Sequence, residues 1–293
     1  RCTPNFLADS SSPTPALPGV WPSAMERLDA ALAARGLARS RTHAARLIAD
    51  GLVTVNGLGV VKPSAKVADD AVLEVAASDR YVSRGAHKLI AALDGFGVTV
   101  DGRVALDMGA STGGFTQVLR ERGAGPVMAV DVGHDQLAPS IAADAGVISV
   151  EGFNVRFMTP ASLAEATGVA TLPSVITGDL SFISLGHVLP AVNEVAAEDA
   201  DIIILIKPQF EVGRTAVKGG LVTDPGMRAD AVAGVLWSAW DAGLGTVGLL
   251  PSPILGTHGN AEFLVHLRHK DAPGALNPTE WLSVVDALTK GSK

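Results

Sequence analysis

From residue 103 onward, short apolar runs alternate with longer amphipathic stretches. The runs Val104–Asp107, Val127–Asp131, Val147–Glu151, Val175–Asp179, Ile202–Ile206, Thr246–Leu250 and Phe263–Leu267 have the length of strands, and helical stretches separate most of them. Such alternation predicts a mostly parallel α/β sheet covered by helices on both faces. The last two runs are joined through Pro251-Ser-Pro253, too short for a crossover helix, so they should pair antiparallel. Residues 79–102 read as a linker and an entry helix with Arg84-Gly-Ala-His-Lys88-Leu89 at its start.

A smaller unit precedes this. Leu28, Ala31 and Leu32 have helical spacing, and Gly36 can stop that helix. Ser40 suits the N-cap of a second helix with Ala44, Leu47 and Ile48 inward and Gly51 at its end. Leu52–Val55 and Leu58–Val61 flank Asn56-Gly57, a hairpin signal, and Val72, Leu73 and Val75 suggest a closing strand. The predicted order is two helices, then small strands. The expected organisation is a disordered leader at 1–24, a small α+β unit at 25–78, a linker at 79–84, the large α/β domain at 85–270 and a C-terminal tail at 271–293, with a helix from Pro278 on. The leader is rich in proline and serine and reads either as a disordered leader or as translation from upstream of a start at Met25.

Composition adds bounds. Of 293 residues, 47% are hydrophobic and 18% charged, enough for a large buried core. The formal net charge of −7 argues against a wholly basic nucleic-acid coat but leaves room for a local basic face. Cys2 is the only cysteine, so neither an internal disulfide nor a cysteine metal cage can form. The aliphatic run Ile202–Ile206 is far shorter than the ~20 residues of a membrane span. A cytoplasmic protein is the simplest expectation.

The candidate chemistry sits at strand ends. Asp107 closes the first large-domain strand, and Gly109, Ser111, Gly113 and Gly114 follow before a helix led by Phe115 and Thr116. This is not the G-x-G-x-x-G spacing of a dinucleotide turn. A carboxylate at Asp107 would repel a pyrophosphate at the helix N-terminus, but it suits the ammonium and sulfonium groups of S-adenosylmethionine. Asp131 can accept from ribose hydroxyls, and Asn154 can face an adenine edge. Asp179 and Lys207 end the next strands, Glu262 begins the last one, and Lys88 lies on the entry helix. If the last strand is reversed, all four converge at one edge, where open α/β sheets bind ligands. A lysine whose pKa is lowered by a second cation and partial burial can take the proton of a ribose 2′-hydroxyl. Arg35, Arg39, Arg41 and Arg46 cluster around the turn of the helix pair and are candidates for RNA phosphate contact, against the plainer reading of a solvated helix face.

These residues together resemble a known family. Tyr81-Val-Ser-Arg-Gly-Ala-His-Lys-Leu89, Leu106-Asp-Met-Gly-Ala-Ser-Thr-Gly-Gly-Phe-Thr116, Asp179-Leu-Ser-Phe-Ile-Ser184, Lys207-Pro-Gln-Phe-Glu211 and Gly259-Asn-Ala-Glu-Phe263 are similar to the TlyA, or hemolysin A, family. The resemblance runs over roughly residues 25–270. It implies a small S4-type RNA-binding domain followed by an FtsJ-like methyltransferase domain of Rossmann-like class I fold. It further implies S-adenosylmethionine-dependent 2′-O-methylation of cytidine riboses in ribosomal RNA. By the same resemblance Lys88, Asp179, Lys207 and Glu262 match the Lys-Asp-Lys-Glu catalytic set. Asp107, Gly109, Ser111, Gly113, Gly114, Asp131 and Asn154 are placed around the cofactor. Two positions depart from the family pattern: Pro139, where a bulky residue is expected, and the linker Asp79-Arg-Tyr-Val82.

Other readings differ in class. An RNA-binding ribosome-assembly factor with an idle methyltransferase fold is opposed by the four intact polar positions. A membrane-lysing protein lacks a span, and a nicotinamide oxidoreductase rests on fold analogy alone.

Overall fold

In this computed structural model, the described residues are 25–38, 40–49, 51–60, 62–75, 81–213, 220–256 and 259–291. The chain divides into two compact units between residues 78 and 79. The leader at 1–24, Arg39, the first two linker residues and His258 lie outside the described residues.

The first unit contains β1 (Met25–Arg27), α1 (Leu28–Ala34), α2 (Arg41–Ala49), β2 (Val53–Val55), β3 (Leu58–Gly59), β4 (Lys66–Ala68) and β5 (Leu73–Val75). The helical periodicity is met: Leu28, Ala31, Leu32, Ala44, Leu47 and Ile48 are buried together with Val53 and Val67. Ser40 Oγ accepts from the His43 amide at 3.1 Å and so caps α2. Asn56 (φ 51°) and Gly57 (φ 78°) both take the left-handed conformation that a two-residue hairpin turn requires. The predicted order needs one correction. A strand, β1, precedes the helices and pairs antiparallel with β4, while β2 lies between β3 and β5. Three residues, Met-Glu-Arg, are too few to carry a strand periodicity.

The second unit opens with α3 (Gly85–Phe96) and continues as β6 (Ala105–Met108), α4 (Gly114–Glu121), β7 (Val127–Val130), α5 (Pro139–Ala142), β8 (Val147–Val150), α6 (Pro160–Thr167), β9 (Val175–Gly178), α7 (Leu189–Val195), β10 (Asp201–Ile206), α8 (Pro208–Glu211), α9 (Pro225–Asp241), β11 (Leu244–Pro251), β12 (Phe263–His269) and α10 (Leu282–Gly291). One seven-stranded sheet has the order β11-β12-β10-β9-β6-β7-β8. Its strands are parallel except β12, which runs antiparallel to both neighbours. Every residue of β10 is buried because helices cover both faces, which is why this strand reads as an unbroken apolar run. Ile202, Ile204 and Ile206 enter one core layer, and Ile203 and Leu205 enter the other. Pro139 opens α5 at its first turn, where a missing N–H costs nothing. The tail is part of this unit: α10 buries Val285 in the core that also takes Val232, Val235 and Leu236 of α9.

Opposite the strand ends that carry the candidate site, Asp201 ties the sheet together. Its carboxylate accepts from His266 Nε2 at 2.8 Å, Arg268 Nε at 2.7 Å and Arg103 Nη1 at 2.7 Å. Burial by itself raises this carboxyl, but the hydrogen bonds from His266, Arg268 and Arg103 outweigh it and hold the group well below the carboxylate range. Its contribution to stability is therefore present above the unfolded carboxyl value and is lost as pH falls through the lower folded value. Asp201→Ala leaves three donors without their acceptor and should cost about 3 kcal/mol in denaturant unfolding at neutral pH. The deficit should shrink in strong acid, and an unchanged midpoint at pH 7 would contradict this role.

Candidate active site

The reversal of β12 decides what meets what. Because Ile206 pairs with Phe263, the end of β10 and the start of β12 lie side by side. Lys207 follows the first and Glu262 precedes the second. On the other flank, Gly178 is in register with Ile204, so Asp179 leaves β9 beside Lys207. Lys88 comes from the first turns of α3. Gly85 permits this approach, since a Cβ there would sit 3.2 Å from Ser83 Oγ and 3.6 Å from Asp179 Oδ2.

The four candidates form one continuous ion cluster. Lys88 Nζ donates to Glu262 Oε2 at 2.7 Å and to Asp179 Oδ2 at 3.5 Å. Lys207 Nζ lies 2.6 Å from Asp179 Oδ1 and donates to Ser181 Oγ at 2.8 Å. The side chains of Lys88, Lys207 and Glu262 are buried, and Asp179 keeps 22% of its side-chain surface. Burial pushes the Asp179 carboxyl up, but the Lys88 and Lys207 ammonium groups together win and hold it below the ordinary value. Two positive and two negative groups balance, as burial of charge requires. The loop over Glu262 needs a glycine at 256, because a Cβ there would collide with the Glu262 carboxylate.

A cavity of about 560 Å3 opens beside the cluster. Its walls include Gly109, Ser111, Asp131, Gly133, Asn154 and Asp179 from the ends of β6 to β9. Asp131 accepts from the Ser111 amide at 2.8 Å and the Gly133 amide at 2.7 Å, which fixes its carboxylate at the rim. A carboxylate has further lone pairs for ligand hydroxyls. Gly109 (φ 76°) is closely approached: a Cβ there would lie 3.1 Å from Leu180 and 3.3 Å from the Asp179 carbonyl. Asn154 lines the same cavity, but its Oδ1 accepts from the Arg156 amide at 3.1 Å and caps a short turn.

The remaining cofactor candidates stand behind this cavity. Gly113 and Gly114 are buried in the turn into α4, and Phe115 packs into the core with Leu89 and Leu93. Asp107 is 1% exposed, and both its oxygens accept from threonines: Thr116 Oγ1 at 2.7 Å and Thr177 Oγ1 at 3.0 Å. Asp107 is not among the residues lining the cavity; Asp131 and Asp179 are the carboxylates that do. Burial pushes Asp107 up to about 6, only partly offset by the two threonine hydroxyls. Ser181 and Phe182 stand in the Asp179–Ser184 motif, but sequence reasoning assigned neither a role at the site. Both line the cavity, and Phe182 is 91% exposed with a left-handed φ of 64°. Their position directly after the strand-ending Asp179 was the available signal.

In the first unit the arginines part company. Arg35 is engaged within the unit: its guanidinium donates to the carbonyls of Ala71 at 2.6 Å, Asp69 at 3.1 Å and Ala68 at 3.2 Å, and so staples the helix pair to the strand region. Arg41 reaches Asp29 at 3.3 Å yet keeps 61% of its side-chain surface. Arg46, in the last turn of α2, makes no ion pair among the described residues. Arg39 lies outside them.

Comparison with known proteins assigns each unit to a family. The FtsJ-like methyltransferase family model matches residues 81–269, and the S4 domain model matches residues 26–73. The 16S/23S rRNA (cytidine-2'-O)-methyltransferase TlyA of Mycobacterium tuberculosis is 50% identical over 245 residues, 83% of this chain and 89% of that protein. Hemolysin A of Brachyspira hyodysenteriae is 38% identical over 241 residues, 82% of this chain and 98% of that protein. A solved structure from Streptococcus thermophilus, provisionally named a hemolysin, superposes with a TM-score of 0.69 at 39% identity and covers 91% of this chain and 96% of its own. The chain belongs to the TlyA family, with an S4 domain ahead of an FtsJ-like methyltransferase domain.

The Asp107 environment has a thermodynamic consequence. A carboxyl at about 6 in the fold and near its ordinary value of 3.8 in the unfolded chain takes stability away as pH rises between those values. The penalty is complete above the upper value and absent below the lower. Asp107→Asn cannot ionise and should raise the melting temperature at pH 8 while leaving it unchanged well below pH 3.8. A lower melting temperature at pH 8 would show that the threonine hydroxyls fully stabilise the charged form.

Proposed function

We propose that this member of the TlyA family transfers the methyl group of S-adenosylmethionine to the 2′-hydroxyl of a cytidine ribose in ribosomal RNA. The observation that carries the reading is the double membership of Asp179. It lines the cavity, and it also contacts both lysines of the buried ion cluster. A donor held in the cavity and a nucleophile held over the lysines are thereby brought to one place.

The cavity suits the cofactor. Asp131 at its rim would take the ribose hydroxyls, Gly109 and Ser111 would admit the donor to the backbone, and the carboxylate of Asp179 would face a cationic sulfur. Asn154 would offer its amide nitrogen to the adenine, because its oxygen is engaged by the Arg156 amide. When bound, the cofactor supplies a methyl group on positive sulfur, open to in-line displacement by oxygen.

The chain's own residues then handle a proton. A ribose hydroxyl is a weak nucleophile until its proton has somewhere to go. Ser181 Oγ, 2.8 Å from Lys207 Nζ, marks a place where an alcohol oxygen meets that amine, and Ser181 is at the cavity wall. We assign Lys207 as the acceptor of the 2′-hydroxyl proton, a role open to it once its own ammonium proton has passed to solvent. Asp179 aligns Lys207, and Lys88 with Glu262 fixes Asp179 from the far side. Phe182 offers an exposed aromatic face beside this position on which a base can stack. The exposed guanidinium groups of Arg41 and Arg46 would meet phosphates on the RNA-binding domain.

Lys207→Ala should lower methyl incorporation into ribosomal subunits by about a hundredfold to ten-thousandfold, the usual contribution of a positioned proton acceptor. Calorimetry should show S-adenosylmethionine still bound. Full activity in this variant would remove Lys207 from the reaction, and subunit binding by the wild type without label transfer would favour the idle assembly factor. For the RNA-binding domain, Arg46→Ala should weaken subunit binding and reduce the salt slope by about one. Arg35→Ala should instead destabilise the domain through its three lost carbonyl contacts, and a pure affinity loss in that variant would restore Arg35 as a phosphate ligand.

A further inference from the structure

The segment Lys207-Pro-Gln-Phe-Glu211 contributes only its lysine to the chemistry above, yet its last residue reaches back across the site. Glu211 Oε2 accepts from Ser184 Oγ at 2.6 Å, and Oε1 accepts from the Leu185 amide at 2.9 Å. Leu185 begins a short 3-10 turn whose own preceding residue, Ser184, gives it no side-chain cap. Glu211 therefore caps that turn from another element. One residue earlier, Phe210 packs on Phe182 with ring centroids 5.1 Å apart. Three successive ties thus join the segment after β10 to the loop after β9: Lys207 to Ser181, Phe210 to Phe182, and Glu211 to Ser184 and Leu185.

Neither partner holds its shape alone. α8 has four residues, far below the length at which a helix is stable by itself. The 179–184 loop carries Phe182 in a left-handed conformation that costs a bulky residue about 1–3 kcal/mol and persists only where the surroundings over-determine it. Glu211 is the one charged group in this lacing that is absent from the lysine cluster. Its carboxyl is raised by burial and lowered again in part by the Ser184 hydroxyl and the Leu185 amide.

We infer that Glu211 is a positioning residue for methyl transfer: by capping Leu185 and holding Ser184 it fixes the 179–184 loop, so that Ser181 and Phe182 stay over Lys207. This rests on the function proposed above. It extends that reading to a residue that touches neither cofactor nor nucleophile.

The test pairs hydrogen exchange with kinetics on the full chain. In Glu211→Ala the Leu185 amide should exchange about tenfold to a hundredfold faster, the worth of a hydrogen bond to a charged acceptor. In the same variant kcat/KM for ribosomal subunits should fall by about tenfold or more, and S-adenosylmethionine affinity by much less, because Asp131 and Asn154 lie on other strand ends. Glu211→Gln keeps an acceptor for Leu185 and should recover most of both losses. Ser184→Ala added to Glu211→Ala should cost nothing further, since the contact is already gone. Unchanged exchange at Leu185, or faster exchange with undiminished kcat/KM, would overturn the inference. So would loss of cofactor binding in step with activity, the mark of general damage. If the wild type itself transfers no methyl, the proposed function fails, while the exchange measurement still decides whether Glu211 holds the loop.

Discussion

Two lysines and two carboxylates share one buried cluster, and the second unit is arranged so that they can. An ammonium group out of water without a partner would lose several kcal/mol, so each of the four must find the others. Asp179 is the hinge of that arrangement, with one oxygen toward Lys88 and the other toward Lys207. Its partners arrive from three different parts of the chain. The parallel strands deliver Asp179 and Lys207 to adjacent ends, the reversed strand β12 brings Glu262 to the same edge, and α3 supplies Lys88. Were β12 parallel like its neighbours, Glu262 would start at the opposite edge, near Asp201, and Lys88 would lose its shortest ion contact.

The same edge explains how a neutral cluster becomes a reactive one. Asp179 keeps part of its surface because it also walls the cavity. Lys207 turns one donor to Asp179 and one to the hydroxyl of Ser181, a partner that another alcohol can replace. The turn of glycines after β6 lets the 179–184 loop come close, as the contacts around Gly109 show. In the proposed reading, substrate and cofactor use separate walls of one cavity, and the charge cluster joins them. Among the described residues, no helix is long and apolar enough to cross a membrane.

Much of this was legible from residue order. Apolar runs with polar ends located all seven strands of the large sheet to within a few residues, because strands buried on both faces leave unbroken aliphatic runs. The short Pro-Ser-Pro connection revealed the reversal of the last strand, and with it the meeting of Lys88, Asp179, Lys207 and Glu262. What stayed hidden depends on where side chains point in three dimensions. Asp107 ends a strand like Asp179, but two threonines, one of them seventy residues away, claim its oxygens and keep it from the cavity. Arg35 looks like any basic residue near a turn until three carbonyls are found converging on it. The strand Met25–Arg27 is too short to show a period.

The central claim is that this charge cluster directs a methyl group to a ribose oxygen. Nucleoside mass spectrometry of ribosomal RNA, taken before and after incubation of unmodified subunits with the protein and S-adenosylmethionine, tests it most directly. The account predicts the appearance of 2′-O-methylcytidine. Methylation on a base alone, or no new methylated nucleoside, would contradict it.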